Sequence, residues 1–486
     1  MHFDPRNPYT CSPLYAEAML QKGHLVMRML SRRLGKEQFM QVIQKILSVV
    51  MQASHMNKDP IHWQHMMVST ESFFRTVLNV TGQELPTFLE QWIYGGGHAK
   101  FFIHYFFNRK RNVVELEVSQ DPSLKGQQSY VGPGRRQKKK KLPLSTGEEI
   151  EVDLSNIDPD SPVLWIRFDP ELLLLRKTTI RQPLYQWEYM LRYERDVLAQ
   201  LDALDILKRF PSPHIRTILI DSVENEAFYY RVRCRASFIL AEVINKLPET
   251  WIGLPPLIVT FKRYYGSKSA PHIPKPNNFV ATSTNLQSYF MMHTLPQALA
   301  RLRTLHNKVL PEAHQFLMGL CKYNDNSINR YSDDHYRASL ISALAGTLIP
   351  MESRDISNMS PLSLSSDLKE LLSEFTLALN MDTLKPSFGR VVGISALQAI
   401  YHMQRTFHIP LDPKVFWAFA QPKIYTPMRL AALTFLIDMV YRFKSFPFIS
   451  DVISRLIDVS IKDEEPAVRY YVTTQLSLKP PLCLIL

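Results

Sequence analysis

Residues 427–436 read PMRLAALTFL, and the spacing inside that stretch decides the fold. Arg429 is followed by a small residue, Ala432, and then by Leu436, which puts all three on one face of a helix. The same spacing returns at Arg233/Ala236/Leu240, Arg337/Leu340/Leu344, Arg390/Gly393/Leu397 and Arg469/Val472/Leu476. Successive intervals are 390 − 337 = 53, 429 − 390 = 39 and 469 − 429 = 40 residues. The last two sit near the period of HEAT-type helix pairs, roughly 40 residues. Pro427 and Pro466 precede the arginine in the last two units, where one helix of a pair ends and the next begins. A single pair cannot bury its apolar face, so residues 182–486 are expected to stack into a HEAT/ARM-like α-superhelix. Two Pro/Ser-rich stretches, 271–283 and 353–366, read as loops between units.

Upstream of residue 182 the period changes. Segments 101–107, 113–119, 148–154 and 163–168 are short, partly alternating and rich in β-branched and aromatic residues. Short strands with no helix between them predict a small antiparallel β-sandwich over 100–181. Residues 1–99 read as helical. The stretch 19–34, MLQKGHLVMRMLSRRL, repeats Leu25, Met29, Leu30 and Leu34 at helical spacing, and 37–51 continues the pattern. Ser69 or Thr70 caps a third helix that ends at Thr81-Gly82, and a short helix over 85–93 stops at Gly95-Gly96-Gly97. The expected molecule is therefore multidomain and mainly α: helices over 1–99, a sandwich over 100–181, helical repeats over 182–486.

The chain has 486 residues, 45% hydrophobic and 21% charged, the balance of a soluble globular protein with more than one core. Its start, MHFDPRNPYTC, has neither the charged nor the apolar region of a signal peptide, and no apolar run reaches the roughly 18 residues of a membrane span. Cys11, Cys234, Cys321 and Cys483 lie far apart with no CxxC pair, which suits a reducing compartment. An intracellular protein is expected. The net charge of +12 favours polyanionic partners wherever it is concentrated. It is concentrated at Arg135, Arg136, Lys138, Lys139, Lys140 and Lys141, next to Gly132-Pro133-Gly134 and between expected strands. A loop there (132–141) would meet nucleic-acid phosphates or serve as a nuclear-import signal, with no base readout; otherwise it is a solvated tip.

Other constellations fall short of chemistry. No histidine is followed by Glu, so the His-Glu-x-x-His of zinc peptidases does not occur in the chain. His62 and His65 have metal-like spacing but no third ligand nearby and read as surface or packing residues. Gly95-Gly96-Gly97-His98-Ala99-Lys100 lacks the glycine spacing and Gly-Lys-Ser/Thr ending of a phosphate loop and reads as a helix stop. Cys483-Leu484-Ile485-Leu486 matches a prenylation box in form, though a truncated chain is the preferred reading.

Lys22-Gly23, Val26, Arg28-Met29-Leu30, Leu34-Gly35 and Phe39 together resemble a segment of the zinc aminopeptidase superfamily that includes aminopeptidase N and leukotriene-A hydrolase. Phe88-Leu89-Glu90-Gln91-Trp92 resembles the end of that family's catalytic domain. The resemblance implies the same order of helical domain, β-sandwich and helical superhelix. The family's oxyanion-stabilising Tyr falls on Leu20, which offers no donor. Five islands narrow the resemblance: residues 4–15, 108–113, 164–167, 191–197 and 322–326 are similar to the TATA-binding-protein-associated factors of the general transcription factor TFIID. That branch implies a non-catalytic, nuclear role in RNA polymerase II initiation. Its partners would be other TFIID subunits, the TATA-binding protein among them, and promoter DNA near and downstream of the initiator. No catalytic, metal or cofactor residue, membrane or small-molecule substrate is implied. The rival readings are a fragment of a zinc-dependent aminopeptidase and a generic helical-repeat scaffold.

Overall fold

The structure, a computed structural model, describes residues 13–56, 68–95, 98–108, 110–111, 113–120, 140–143, 163–247, 255–270, 283–327, 329–350, 364–443 and 446–479. The expected strand 148–154, the histidines at 62 and 65, most of both inter-unit loops and the last seven residues lie outside these. The chain divides into two compact units, Met1–Gln186 and Trp187–Leu486.

Unit one opens with α1 (Pro13–Leu34), α2 (Lys36–Met56) and α3 (Thr70–Thr81). Val26, Met29, Leu30 and Leu34 of α1 are buried against Val42 of α2, Val77 of α3 and Phe88. The buried stripe therefore runs through Val26, and Leu25 remains exposed. Ser69 caps α3 by accepting the Ser72 amide at 3.1 Å, and Gly82 closes it in the left-handed conformation with φ 68°. A single turn, Pro86–Phe88, runs into a π-helical turn, Leu89–Tyr94, closed by the Gly95 amide donating to Glu90 at 2.9 Å. A Cβ at residue 95 would lie 2.8 Å from the Glu90 carbonyl oxygen, so this close approach requires glycine.

Four strands follow: β1 (Ala99–Asn108), β2 (Val113–Gln120), β3 (Lys140–Pro143) and β4 (Arg176–Arg181). They form one sheet in the order β3-β2-β1-β4, antiparallel at β1/β2 and β2/β3 but parallel at β1/β4. Among the described residues this is a single mixed sheet, where the spacing predicts an antiparallel sandwich. The expected strand 163–168 is irregular, and two of its backbone groups are held by glutamine side chains. Gln186 Nε2 donates to the Val163 carbonyl at 2.7 Å, and the Ile166 amide donates to Gln182 Oε1 at 3.2 Å. Arg176 then fixes the loop to the head of β4. It pairs with Asp169 at 3.0 Å, donates to the Phe168 carbonyl at 2.5 Å, and lies over the Phe168 ring.

Unit two is helical. After α4 (Leu184–Tyr193) and α5 (Val197–Leu207) come, among the described residues, six pairs. The first three are α6 (Pro213–Glu224) with α7 (Tyr230–Asn245), α8 (Pro256–Tyr265) with α9 (Ser283–Leu299), and α10 (Pro311–Lys322) with α11 (Asp334–Gly346). The series continues with α12 (Ser366–Leu384) and α13 (Val391–Arg405), α14 (Pro413–Phe419) and α15 (Thr426–Arg442), and α16 (Ile449–Lys462) and α17 (Pro466–Leu478). Each second helix touches the second helix of the next pair, from α7 through α17, which makes the unit a stack.

The repeated arginine is a seam in four of the pairs. It is the fourth residue of α7, α11, α15 and α17, and lies at the head of α13. Arg233 Nε donates to the Val223 carbonyl at 3.0 Å, Arg429 Nε to Ala420 at 3.2 Å, Arg390 to Asp382 at 2.8 Å, and Arg469 to Asp463. Each acceptor lies at the C-terminal end of the preceding helix, where carbonyls lack intrahelical partners and cations oppose the helix dipole. The interval 337 − 233 = 104 is long because it contains a further pair, α8 and α9, whose fourth position is Leu286.

Candidate nucleic-acid interface

Of the six candidate cations, Lys140 and Lys141 lie in the edge strand β3, opposite Leu116 and Glu115 of β2. Arg135, Arg136, Lys138 and Lys139 lie outside the described residues. The run thus enters the sheet at its end, where the sequence predicts a loop tip. Glu115 is buried and accepts a 3.0 Å hydrogen bond from Asn108 Nδ2 across the β1/β2 hairpin.

At the far edge, β4 carries a second set of cations that the charge pattern alone does not single out. Parallel register sets Lys177 beside Lys100 and Arg181 beside His104. On β4, Lys177, Thr179 and Arg181 alternate as the exposed residues, so one face of the strand presents two cations with a threonine between them. On β1 the exposed residues are Phe102, His104 and Phe106, with Ile103 and Tyr105 buried beneath. Like charges placed opposite one another on strands cost stability unless an anion or acid answers them. Across β1 from Arg181, one carboxylate, Glu117, pairs in register with His104. The face therefore combines aromatic rings with flanking cations, the two ingredients of a surface that meets nucleic-acid backbones and bases. The local signal is R-K-T-T-I-R itself, a strand whose alternation is hidden because the half-buried positions Arg176 and Thr178 are as polar as the outward ones.

Beneath the sheet the site is tied down by hydrogen bonds. Tyr105 donates to Gln186, whose amide holds Val163, and burial pushes the Tyr105 phenol up to about 12 even though the Gln186 contact opposes it. The position expected for the aminopeptidase family's Tyr, Leu20, lies on α1 and is 78% exposed. Among the described residues, no group of three or more His, Cys, Asp or Glu could hold a metal ion, and no helix is long and apolar enough to cross a membrane.

Comparison with known proteins converges on one family. A family model described as TAF2-like, TPR repeats matches residues 184–484, and one described as TAF2 Ig-like domain matches residues 134–183. The stack that the spacing predicts as HEAT-type pairs is thus the region that family describes as TPR repeats. Transcription initiation factor TFIID subunit 2 of Caenorhabditis elegans is 45% identical over 519 residues, covering 99% of this chain and 48% of that protein. The Drosophila melanogaster protein of the same name is 40% identical over 517 residues (99% and 42%), and that of Danio rerio 38% over 513 (99% and 42%). The chain spans about half the length, or a little less, of these curated relatives. The crystal structure of Legionella pneumophila aminopeptidase A in complex with aspartic acid aligns over 94% of this chain and 56% of its own, at 12% identity and a TM-score of 0.38, too distant to speak for the fold. With its helical stack and the sheet region before it both matched, the chain belongs to the TAF2-like family, that of TFIID subunit 2.

Proposed function

We propose that this chain is part of a non-catalytic TFIID subunit that acts in the nucleus in RNA polymerase II transcription initiation. The observation that carries the reading is the family match over the helical stack, together with 45% identity to TFIID subunit 2 of Caenorhabditis elegans in an alignment covering 99% of the chain. In this reading the sheet and the basic run leading into β3 contact phosphates of core-promoter DNA, near and downstream of the initiator. Arg135, Arg136, Lys138, Lys139, Lys140 and Lys141 supply charge, and Lys177 and Arg181 extend it across the sheet. Such contacts give affinity without base readout. The helical stack docks other TFIID subunits, the TATA-binding protein and its associated factors. Leu20, in place of a phenol, supports a non-catalytic role because a leucine cannot stabilise an oxyanion.

The full-length protein, tagged at its own locus and purified from nuclei, tests the reading. TATA-binding protein and its associated factors should copurify in near-stoichiometric amounts. Their absence, or peptidase activity towards unblocked peptides in the purified material, would overturn it.

A further inference from the structure

The second helices α11, α13 and α15 line a cleft of about 400 Å³ in the stack, with Lys479 at its border. Among the described residues its one lining carboxylate, Asp438, is fully engaged. Tyr401 donates to it at 2.7 Å, Arg442 Nε lies at 2.7 Å and Lys479 Nζ at 3.2 Å. Burial alone would push the Asp438 carboxyl up, but the hydrogen bonds from Tyr401, Arg442 and Lys479 more than offset this and hold it below its ordinary range. Asp438 therefore stays charged and already meets two cations.

Arg405 also lines the cleft, and among the described residues it has no ion pair. Its one side-chain hydrogen bond there is to His402 Nδ1 at 3.3 Å. That bond needs a neutral imidazole, and burial together with the Arg405 charge holds His402 below its ordinary pKa. Among the described residues the cleft is thus lined by two cations, Arg405 and Lys479, and one acid, behind which Arg442 pairs with Asp438. A guanidinium has five N–H donors in a fixed fork, and most of those on Arg405 are unused.

We propose that this cleft binds the carboxylate of a Glu or Asp side chain carried on an acidic peptide segment of a partner protein. The guanidinium fork of Arg405 matches a carboxylate in two parallel hydrogen bonds. Lys479 and Arg442 raise the local potential, and the Phe435 ring and Ala399 give the acid's methylene stem an apolar wall. The inference rests on the reading that the stack docks proteins, and it names the chemistry of one such contact.

Fluorescence anisotropy of a fluorescein-labelled Gly/Ser octapeptide with two central Glu residues, titrated with the intact chain, tests it. The Glu peptide should bind saturably, and the same peptide with Gln should bind about tenfold or more weakly, the worth of one charge-assisted pair. Arg405→Gln should cost about tenfold or more, whereas Arg405→Lys should recover part of the loss because it keeps the charge and loses the fork. Gln398→Glu, at an exposed position on the cleft wall, should weaken the peptide without disturbing the fold. Equal binding of the Gln peptide, or unchanged binding by a folded Arg405→Gln chain, would overturn the proposal. So would displacement of the peptide by inorganic phosphate at concentrations where acetate has no effect, since that marks a phosphate site. Failure of the unmutated chain to bind the Glu peptide, with TFIID copurification intact, would refute this inference alone; failed copurification would refute the broader reading.

Discussion

Arg429 shows at the residue scale how the repeat signature becomes stability. Its side chain is 2% exposed, pairs with Asp463 at 2.5 Å and Glu465 at 3.3 Å, and donates to the Ala420 carbonyl. Removing one partner of a buried pair leaves an uncompensated charge, at a cost of about 3–5 kcal/mol. Arg429→Ala should therefore lower the unfolding free energy by that amount in denaturant titration; a loss within surface-mutant range would mean that Asp463 finds water or another cation. His293 gives a pH signature. Burial, with a contribution from His335, depresses its pKa from 6.5 to about 4, while its ring packs on Tyr289 and Tyr336. As pH falls below 6.5 the unfolded chain takes up a proton that the folded imidazole refuses until about pH 4. Stability should thus drop across that window by about 3 kcal/mol from this group alone. His293→Gln should flatten the pH dependence of the thermal midpoint there, and an unchanged slope would assign the drop to other groups.

At the scale of elements, the glycine three positions after Arg390 is a packing requirement. A Cβ on Gly393 would lie 2.3 Å from Asp382 Oδ2, a carboxylate held by Arg390 and Ser387 where α12 meets α13. Ala normally gains on Gly in a helix by about 1 kcal/mol. Here the close approach reverses the sign, and Gly393→Ala should destabilise by about 1–3 kcal/mol; a stabilised variant would show that α12 moves aside freely. The repeats are legible in the sequence because the arginine, the small residue and the leucine are each fixed by a local contact that recurs. The α8/α9 pair is not, since Leu286 stands where the arginine would be. The helices of the first unit are legible from capping and periodicity, with Ser69 and Gly82 standing where expected. The sheet is harder. Residues 163–168 have strand composition, but Gln182 and Gln186 take their backbone partners. β4 hides its period because its half-buried positions Arg176 and Thr178 are polar as well, and that conceals the Lys177 and Arg181 half of the candidate interface.

For the molecule as a whole, charge and architecture divide the work. In the stack, the buried arginines Arg233 and Arg429 are internal and already answered by carbonyls and carboxylates. The sheet unit keeps cations in register across strands and receives the basic run at β3. An electrostatic contact with DNA should therefore depend on the sheet unit and leave assembly through the stack intact. The decisive measurement is the salt dependence of promoter-DNA binding by assembled TFIID carrying Lys138→Ala, Lys139→Ala, Lys140→Ala and Lys141→Ala together. The slope of log K against log salt should fall by about 0.9 for every phosphate that these lysines neutralise, with the subunit composition unchanged. An unaltered slope in a fully assembled complex would contradict the role of this region in holding promoter DNA.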